Sequence, residues 1–211
     1  MKKITLLFVA LVCALSLSAQ EIAQQIDNLV QQYVENQYFA GSVLVAKGDK
    51  ILFEKAYGDA DSDKRIANQM DTRFNICSMG KMFTSTMVLQ LAEQGKVKLN
   101  APINTYLADY HIPNGDKITI HHLLTHSSGL TSYMEHPEYI GKLLELTSLD
   151  KVMALVTDMP LAFQTPGERF VYSNSGFIVL GKLIEKITGK DYWQNLDERI
   201  LKPLGMKHTW S

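Results

Sequence analysis

The sequence has little cysteine and no surplus of positive charge. Its 211 residues include two cysteines, Cys13 and Cys77, and 21 basic residues stand against 22 acidic ones. A formal net charge of −1 offers no basic surface for a polyphosphate backbone, so we expect no nucleic-acid partner. Hydrophobic residues make up 46% of the chain, which excludes a disordered or collagen-like protein and indicates a globular one with a sizeable core.

The apolar run at the N-terminus, from Ile4 to Leu17, is shorter than the roughly 20 residues that span a bilayer. Two lysines precede this run and small residues follow it, a pattern typical of a secretory signal peptide. We therefore predict a signal peptide at residues 1–19 and a periplasmic or secreted protein with no stable membrane span after its removal. An uncleaved anchor is the alternative.

Removal of residues 1–19 also changes the cysteine content and the charge. It takes away Cys13, two lysines and no acidic residue, which leaves a formal net charge of −3. Because Cys77 is then the only cysteine, an intrachain disulfide is excluded even in an oxidising compartment. Packing must supply the stability.

Periodicity predicts one hairpin followed almost entirely by helices. The β-rich runs Ser42–Ala46 and Ile51–Tyr57 flank Lys47-Gly48-Asp49-Lys50, a sequence suited to a tight reversal. Helices are predicted at residues 21–35, 78–94, 120–126 behind Thr119, 149–157 behind Ser148, 175–187 ending near Gly189, and 192–201 behind Asp191. No repeat or linker interrupts residues 20–211, which indicates one domain. A lone hairpin is marginal, so strands that complete its sheet are missing from the sequence.

The segment Cys77-Ser78-Met79-Gly80-Lys81 holds a Ser-x-x-Lys motif at the start of a predicted helix. The spacing places Lys81 one turn from Ser78 on the same face, within reach of its hydroxyl. A partly desolvated amine can activate serine, and a helix N-terminus supplies N–H groups that stabilise an oxyanion. Taken alone, the motif more often marks a helix cap followed by a surface lysine.

A second polar cluster, Tyr172-Ser173-Asn174, lies just ahead of an apolar helix. The Tyr172 phenol is a candidate general base if a cation such as Lys81 lowers its pKa, and Asn174 is a candidate ligand for a substrate amide. Taken alone, the cluster better fits a helix cap made by Ser173 or Asn174, with Tyr172 as a core aromatic.

Together and in this order, the two motifs resemble those of penicillin-binding proteins and class C β-lactamases. The likeness extends over most of the chain after residue 19, through Gly41-Ser42-Val43-Leu44-Val45, Leu91 to Leu99, Ile120 to Leu130, and Pro203-Leu204-Gly205-Met206. The resemblance implies an α+β fold of the α/β sandwich type. Its antiparallel sheet would be flanked by helices, with a mostly helical second lobe and with the later sheet strands absent from this chain.

The resemblance also implies the roles of four residues. Ser78 would be the nucleophile that forms an acyl-enzyme, with Lys81 as its proton acceptor or electrostatic helper and its own backbone N–H as half of the oxyanion hole. Tyr172 would be the general base, and Asn174 would bind substrate. No metal and no cofactor are expected. A β-lactam, a D-Ala-D-Ala peptide derived from peptidoglycan, and a small ester all stay open as substrates.

The chain departs from the family pattern in two places. Gly80 stands where the family often has Ser or Thr. The third motif, Lys-Thr-Gly or His-x-Gly on a strand, is missing, and Thr188-Gly189-Lys190 does not replace it because it follows a predicted helix. We therefore expect a C-terminally incomplete hydrolase domain that folds poorly or turns over little, since loss of one oxyanion donor costs about 100- to 1000-fold.

Other residues near the motifs have simpler interpretations. His122 and His126 are spaced as zinc ligands on a helix, but without the Glu of His-Glu-x-x-His we predict no metal site. The resemblance places this segment near the active site. The sulfur-containing residues that we predict to fill the core are Cys77, Met79, Met82 and Met87.

The leading hypothesis is an exported serine hydrolase that cleaves an amide or ester. The alternative is a non-catalytic or truncated family member that binds peptidoglycan or β-lactam without turnover. The presence of Ser78, Lys81, Tyr172 and Asn174 together favours the enzyme, because a binding module has no need of all four.

Overall fold

A computed structural model describes residues 20–209, which combine helices with small antiparallel sheets. The strands are β1 (Gly41–Lys47), β2 (Lys50–Tyr57), β3 (Asp59–Asp61) and β4 (Ile66–Ala67). The α-helices are α1 (residues 20–35), α2 (Lys81–Glu93), α3 (Ile120–Leu124), α4 (Leu149–Asp158), α5 (Asn174–Thr188) and α6 (Tyr192–Leu196). The α+β class is confirmed, and no strand follows Ala67 within residues 20–209. The predicted signal peptide lies outside the described residues.

The chain divides into two compact units, the first ending at Asn75 and the second beginning at Ile76. The first unit carries the four strands and α1. The second carries α2 to α6 and both predicted motifs. A single hydrolase domain over residues 20–211 stays a prediction.

Strands β1 and β2 form the predicted hairpin. They pair antiparallel, from Gly41 opposite Tyr57 to Lys47 opposite Lys50, with one shift of register along the way. Gly48 makes the reversal with a φ of 58°, in the left-handed region that glycine adopts without steric cost. The hairpin prediction is confirmed.

Polar contacts connect α1 to β2 within the first unit. Asp27 of α1 accepts hydrogen bonds from Lys55 Nζ at 2.8 Å and from the Tyr57 hydroxyl at 2.6 Å. Burial and then the bond to Asp27 raise the pKa of Tyr57. Tyr57 is the one buried hydrophobic residue among the described residues of this unit. Strand pairing and polar contacts therefore stabilise it more than a core does.

The second unit has a continuous hydrophobic core. Its largest fully buried side chains are Met87, Leu91, Ile103, Leu107, Ile118, Ile120, Leu123, Met153, Leu180, Leu183 and Ile184. Burial of one such side chain contributes roughly 1.5–3 kcal/mol relative to its exposure. Because these residues come from α2, α3, α4 and α5 and the segments between them, the core fixes the helices that carry the motifs.

Short polar side chains begin the helices where the sequence predicts them. The caps at Thr119, Ser148 and Asp191 each accept a hydrogen bond from the backbone N–H three residues later, at 2.8–3.4 Å. Each such cap stabilises its helix by about 1 kcal/mol. Gly189 ends α5 with a φ of 70°, as a left-handed C-cap does.

The helix predicted at residues 78–94 differs at its start. Cys77–Gly80 form a turn of 3₁₀-helix, and α2 begins only at Lys81. Gly95 follows its end with a φ of 70°, as predicted for a C-terminal cap. The inward face of α2 consists of Thr84, Met87, Val88 and Leu91.

The prediction that sulfur-containing side chains fill the core is wrong for three of the four residues. Met79 and Met82 are 63% and 51% exposed, and Cys77 is exposed as well. Met87 is fully buried, as predicted. An apolar spacing of three and four marks one side of a helix, but it does not reveal that the inward face begins only at the second turn of α2.

The helix predicted at residues 192–201 consists of two segments. The α-helix α6 covers Tyr192–Leu196 and continues as a π-helical turn over Asp197–Leu201. The wider turn accompanies two consecutive buried residues, Ile200 and Leu201.

Candidate active site

The nucleophile turn, Cys77–Lys81, carries the first two predicted site residues. Lys81 Nζ donates a hydrogen bond to Ser78 Oγ at 3.0 Å, across the three-residue spacing seen in the sequence. Cys77 has a φ of 47°, a left-handed conformation that costs a non-glycine residue about 1–2 kcal/mol. Ser78 itself is exposed, so its hydroxyl is open to an incoming reactant.

The tyrosine loop, Val171–Asn174, carries the other two. Ser173 occupies the N-cap position of α5, but its side chain makes no capping bond, and its buried hydroxyl has no partner among the described residues. Tyr172 is 45% exposed, so it is not a core aromatic. The alternative interpretation of this cluster as a cap with a buried tyrosine is therefore wrong.

The four predicted site residues meet at one point. The Tyr172 hydroxyl donates to Ser78 Oγ at 2.8 Å, across 94 positions of sequence. Lys81 Nζ donates to Asn174 Oδ1 at 2.8 Å as well as to Ser78. The serine oxygen therefore contacts both an ammonium and a phenol. Such an arrangement can move a proton between the serine and the tyrosine while a cation stabilises the negative charge.

The electrostatics of Tyr172 suit a base. Hydrogen bonding with the Lys81 ammonium, and next with Ser78, lowers the pKa of the Tyr172 phenol below its ordinary value. A cation beside the ring stabilises the phenolate, and Lys81 Nζ lies 5.1 Å from the ring centroid. The sequence makes Tyr172 a candidate base on the condition that a cation such as Lys81 lowers its pKa. The structure meets that condition.

The Asn174 side chain is held at both ends. Its Oδ1 accepts the bond from Lys81, and its Nδ2 donates to Ser132 Oγ at 3.3 Å and to Met134 Sδ at 3.1 Å. Neither Ser132 nor Met134 was singled out from the sequence. The contacts fix the amide orientation, and the substrate-binding role of Asn174 stays a prediction.

Ser175, the second residue of α5, joins the helix to the segment before α4. It is fully buried, its hydroxyl donates to the Thr131 carbonyl at 2.7 Å, and it accepts the Tyr133 N–H at 2.8 Å. No motif in the sequence marks this residue. Its contacts position the start of α5, and with it Asn174.

His126 is a further neighbour of the site that the sequence did not assign to it. Its ring stacks on that of Tyr172, with centroids 4.4 Å apart and planes at 29°. The helix predicted to reach residue 126 ends at Leu124, because His126 adopts a φ of 55°. The resemblance placed this segment near the active site, and His126 does contact Tyr172. Its stacking has no signal in a single sequence.

Residues 20–209 contain no cluster of three or more His, Cys, Asp or Glu side chains arranged to hold a metal ion. Of the two histidines spaced as zinc ligands, His122 accepts the Thr119 N–H through Nδ1 at 3.2 Å, within the capping box of α3, and His126 accepts the Ser173 N–H through its own Nδ1 at 3.2 Å. In the same part of the chain, no helix is long and apolar enough to cross a membrane.

Comparison with known proteins places this chain in a family. The family model described as Beta-lactamase matches residues 26–211. Protein flp of Staphylococcus aureus is 32% identical over 190 residues, which is 88% of this chain and 38% of that protein. The putative penicillin-binding protein PbpX of Bacillus subtilis is 32% identical over 185 residues, 85% of this chain and 43% of that protein. The chain thus spans about two fifths of the length of these curated relatives.

A solved structure agrees with the sequence relatives. The penicillin-binding protein from Bacillus halodurans superposes with a TM-score of 0.74 at 32% identity, over 85% of this chain and 56% of that one. On the strength of the matched family model and these relatives, the chain belongs to the beta-lactamase family.

Proposed function

We propose that the protein is a serine hydrolase that cleaves an amide or ester bond through an acyl-enzyme on Ser78. The observation that carries the proposal is the shared contact of Ser78 Oγ with Lys81 Nζ at 3.0 Å and with the Tyr172 hydroxyl at 2.8 Å. A nucleophile within hydrogen-bond distance of both a base and a cation is the geometry that covalent catalysis requires.

In the proposed first step, ionised Tyr172 takes the proton from Ser78 as Oγ attacks the substrate carbonyl. A C–O bond forms, and the carbonyl electrons move to its oxygen, which the Ser78 N–H stabilises. Tyr172 then returns the proton to the leaving nitrogen or oxygen as its bond to the carbonyl carbon breaks. The Lys81 ammonium stabilises the phenolate throughout and holds Asn174 through Oδ1.

In the proposed second step, a water molecule gives a proton to Tyr172 and attacks the acyl carbon. The C–O bond to Ser78 breaks, the serine recovers its proton, and the free acid leaves. The rate of this step separates a β-lactamase or esterase from a protein that only captures β-lactams. A β-lactam, a D-Ala-D-Ala peptide and a small ester are the proposed substrate classes, consistent with relatives named as penicillin-binding proteins.

The test is covalent labelling read by intact mass. The purified protein is incubated with a fluorescent penicillin and with a fluorophosphonate, and Ser78→Ala is compared with wild type. Ser85→Ala on α2 serves as the matched control, because it removes a serine hydroxyl from the adjoining helix without touching the site. We expect labelling of wild type and Ser85→Ala and none of Ser78→Ala. Equal labelling of all three proteins, or of none, contradicts the assignment.

Turnover distinguishes the enzyme from the binding alternative. Nitrocefin, p-nitrophenyl acetate and a D-Ala-D-Ala peptide are offered to the protein, and release of product is followed beside the mass of the acyl-enzyme. Repeated product release with a transient adduct indicates a hydrolase. A stable adduct without product release indicates a family member that binds without turnover.

We also propose that the protein is exported by the signal peptide at residues 1–19. The support is the sequence pattern alone: two lysines, an apolar run too short for a span, and small residues before the predicted cleavage after Ala19 or Ser18. N-terminal sequencing of the protein from the periplasm or medium tests this proposal. A new N-terminus at residue 19 or 20 is expected, and an intact chain in the cytoplasm contradicts it.

A further inference from the structure

His126 holds the tyrosine loop on both sides of Tyr172. The His126 carbonyl accepts the Val171 N–H at 2.9 Å, and its Nδ1 accepts the Ser173 N–H at 3.2 Å. The left-handed backbone at residue 126, with a φ of 55°, accompanies this two-sided contact. The backbone N–H groups of Val171 and Ser173, the residues on either side of Tyr172, are therefore both bonded to His126.

The imidazole also supports the Tyr172 ring itself. It stacks on the phenol ring at a centroid distance of 4.4 Å, and it lies 5.1 Å from the Phe177 ring of α5 at 32°. Because Phe177 belongs to a helix anchored in the core, the histidine transmits that rigidity to an exposed tyrosine. Phe170 contacts the same imidazole edge to face, at 5.8 Å.

We propose that neutral His126 is a positioning residue that sets the orientation of Tyr172 toward Ser78, so that protonation of His126 weakens the base. The inference rests on the proposed function, in which Tyr172 is the base. Nδ1 accepts the Ser173 N–H only when it carries no proton. The imidazolium has a proton at that nitrogen, so it repels the Ser173 N–H and releases one side of the loop.

The environment of the imidazole ring also favours its neutral form. Within residues 20–209, the charge of Lys81 from α2 acts on the imidazole, and the ring of Tyr172 from the tyrosine loop stacks on it. Burial, and next the charge of Lys81, lower the pKa of His126. The neutral form thus predominates at neutral pH, and the switch to the imidazolium falls on the acid side of the ordinary histidine range.

The first measurement follows Tyr172 without any substrate. With tyrosine ring carbons labelled with ¹³C, the Tyr172 resonance is identified by its loss in Tyr172→Phe. We expect this resonance to shift between pH 4 and 7 with the same midpoint as the His126 ring protons. In His126→Phe, which keeps an aromatic ring, and in His126→Asn, which suits a left-handed backbone, that shift disappears. His111→Phe is the control, because His111 is exposed, and it leaves the shift in place.

The second measurement is the rate at which a fluorophosphonate labels Ser78. We expect His126→Phe to label about ten- to a hundredfold more slowly at neutral pH, the cost of a base displaced by about 1 Å. Below the pH at which His126 is half protonated, the labelling rate of wild type falls more steeply as the pH is lowered than the rate of His126→Phe. The reason is that only wild type gains a proton on the histidine.

The outcomes separate this inference from the proposed function. The positioning role is overturned if the Tyr172 resonance does not shift between pH 4 and 7. It is also overturned if the resonance still shifts in both His126 variants. Labelling of His126→Phe at the wild-type rate and pH dependence overturns it as well. If the Tyr172 resonance shifts between pH 4 and 7 but Ser78 of the wild type is never labelled, the contact between the two rings stands and the proposed hydrolase function is wrong.

Discussion

The two segments that form the site are held by different kinds of contact. The nucleophile turn has no buried residue, and its defining hydrogen bond joins residues three positions apart. The tyrosine loop is bonded to His126, 47 positions from Ser173, and is followed directly by the fully buried Ser175. The contact between Ser78 and Lys81 is thus a product of local sequence, whereas the position of Tyr172 depends on tertiary structure. Substitutions that affect one segment and spare the other will test this difference.

The largest effect is expected from Tyr172→Phe. The change removes the phenol oxygen that contacts Ser78 Oγ and leaves the nucleophile turn untouched. Loss of a general base costs about 100- to 10,000-fold, so fluorophosphonate labelling of Ser78 should fall by that factor. Unfolding by urea should not change, because the ring is half exposed and keeps its stacking on His126. Tyr38→Phe, at an 81% exposed tyrosine, is the control and should alter neither measurement.

Lys81→Met tests the link from the turn to the loop. Because the ammonium lowers the pKa of the Tyr172 phenol, its removal should return that pKa toward 10. In the proposed mechanism the Tyr172 phenolate is the base, so the rise of Ser78 labelling with pH should move to higher pH, with a fall of about ten- to a hundredfold at pH 7. A labelling profile that keeps its wild-type midpoint would mean that another group lowers the Tyr172 pKa.

Ser175→Ala should loosen the tyrosine loop from the core side. The substitution leaves the Thr131 carbonyl and the Tyr133 N–H without their bonds, at a cost of about 1–3 kcal/mol in the free energy of unfolding. Ser173→Ala, at an equally buried serine whose hydroxyl has no partner among the described residues, should change stability by less than about 0.5 kcal/mol. Equal urea midpoints for the two variants would contradict this account of the anchor.

Gly80→Ala should give a smaller effect than Ser175→Ala, and it acts on the nucleophile turn. Gly80 has a φ of −56°, and a Cβ added there meets no atom within 4 Å. Alanine should therefore stabilise the protein by about 0.5–1 kcal/mol, through the unfolded chain. Gly95 also has open space but a φ of 70°, so Gly95→Ala should destabilise it by about 1 kcal/mol. If both substitutions changed the free energy of unfolding in the same direction, the space around the added Cβ, and not the backbone conformation, would determine the effect.

The same division explains which features the sequence could predict. Helix ends at Thr119, Ser148, Asp191 and Gly189 depend on bonds within four residues, and they lie where predicted. The Ser78 to Lys81 contact is equally local. The prediction that Met79 lies in the core is wrong, because a short apolar spacing does not reveal which turn of a helix packs against the core.

The contact of His126 with Tyr172 is beyond prediction from the sequence for a related reason. Its contact with Tyr172 depends on a left-handed backbone and on packing across more than forty residues. Neither is encoded in the residues around it, and its four-residue spacing from His122, the one pattern that involves it, does not predict a metal site. The family resemblance locates the segment near the active site, but only the folded structure shows the side-chain contact.

The hairpin has a consequence for handling the protein. Within residues 20–209, β1 pairs with β2 and with no third strand, so neither strand has a strand partner on its outer side among these residues. An unpaired strand edge can add a strand of another chain by backbone hydrogen bonding. Leu44 and Ile51 are half exposed there, while Lys47 and Lys50 supply the repulsion that opposes such stacking. Concentrated, high-salt solutions screen that repulsion, so dilute low-salt buffers should favour recovery of monomer during purification.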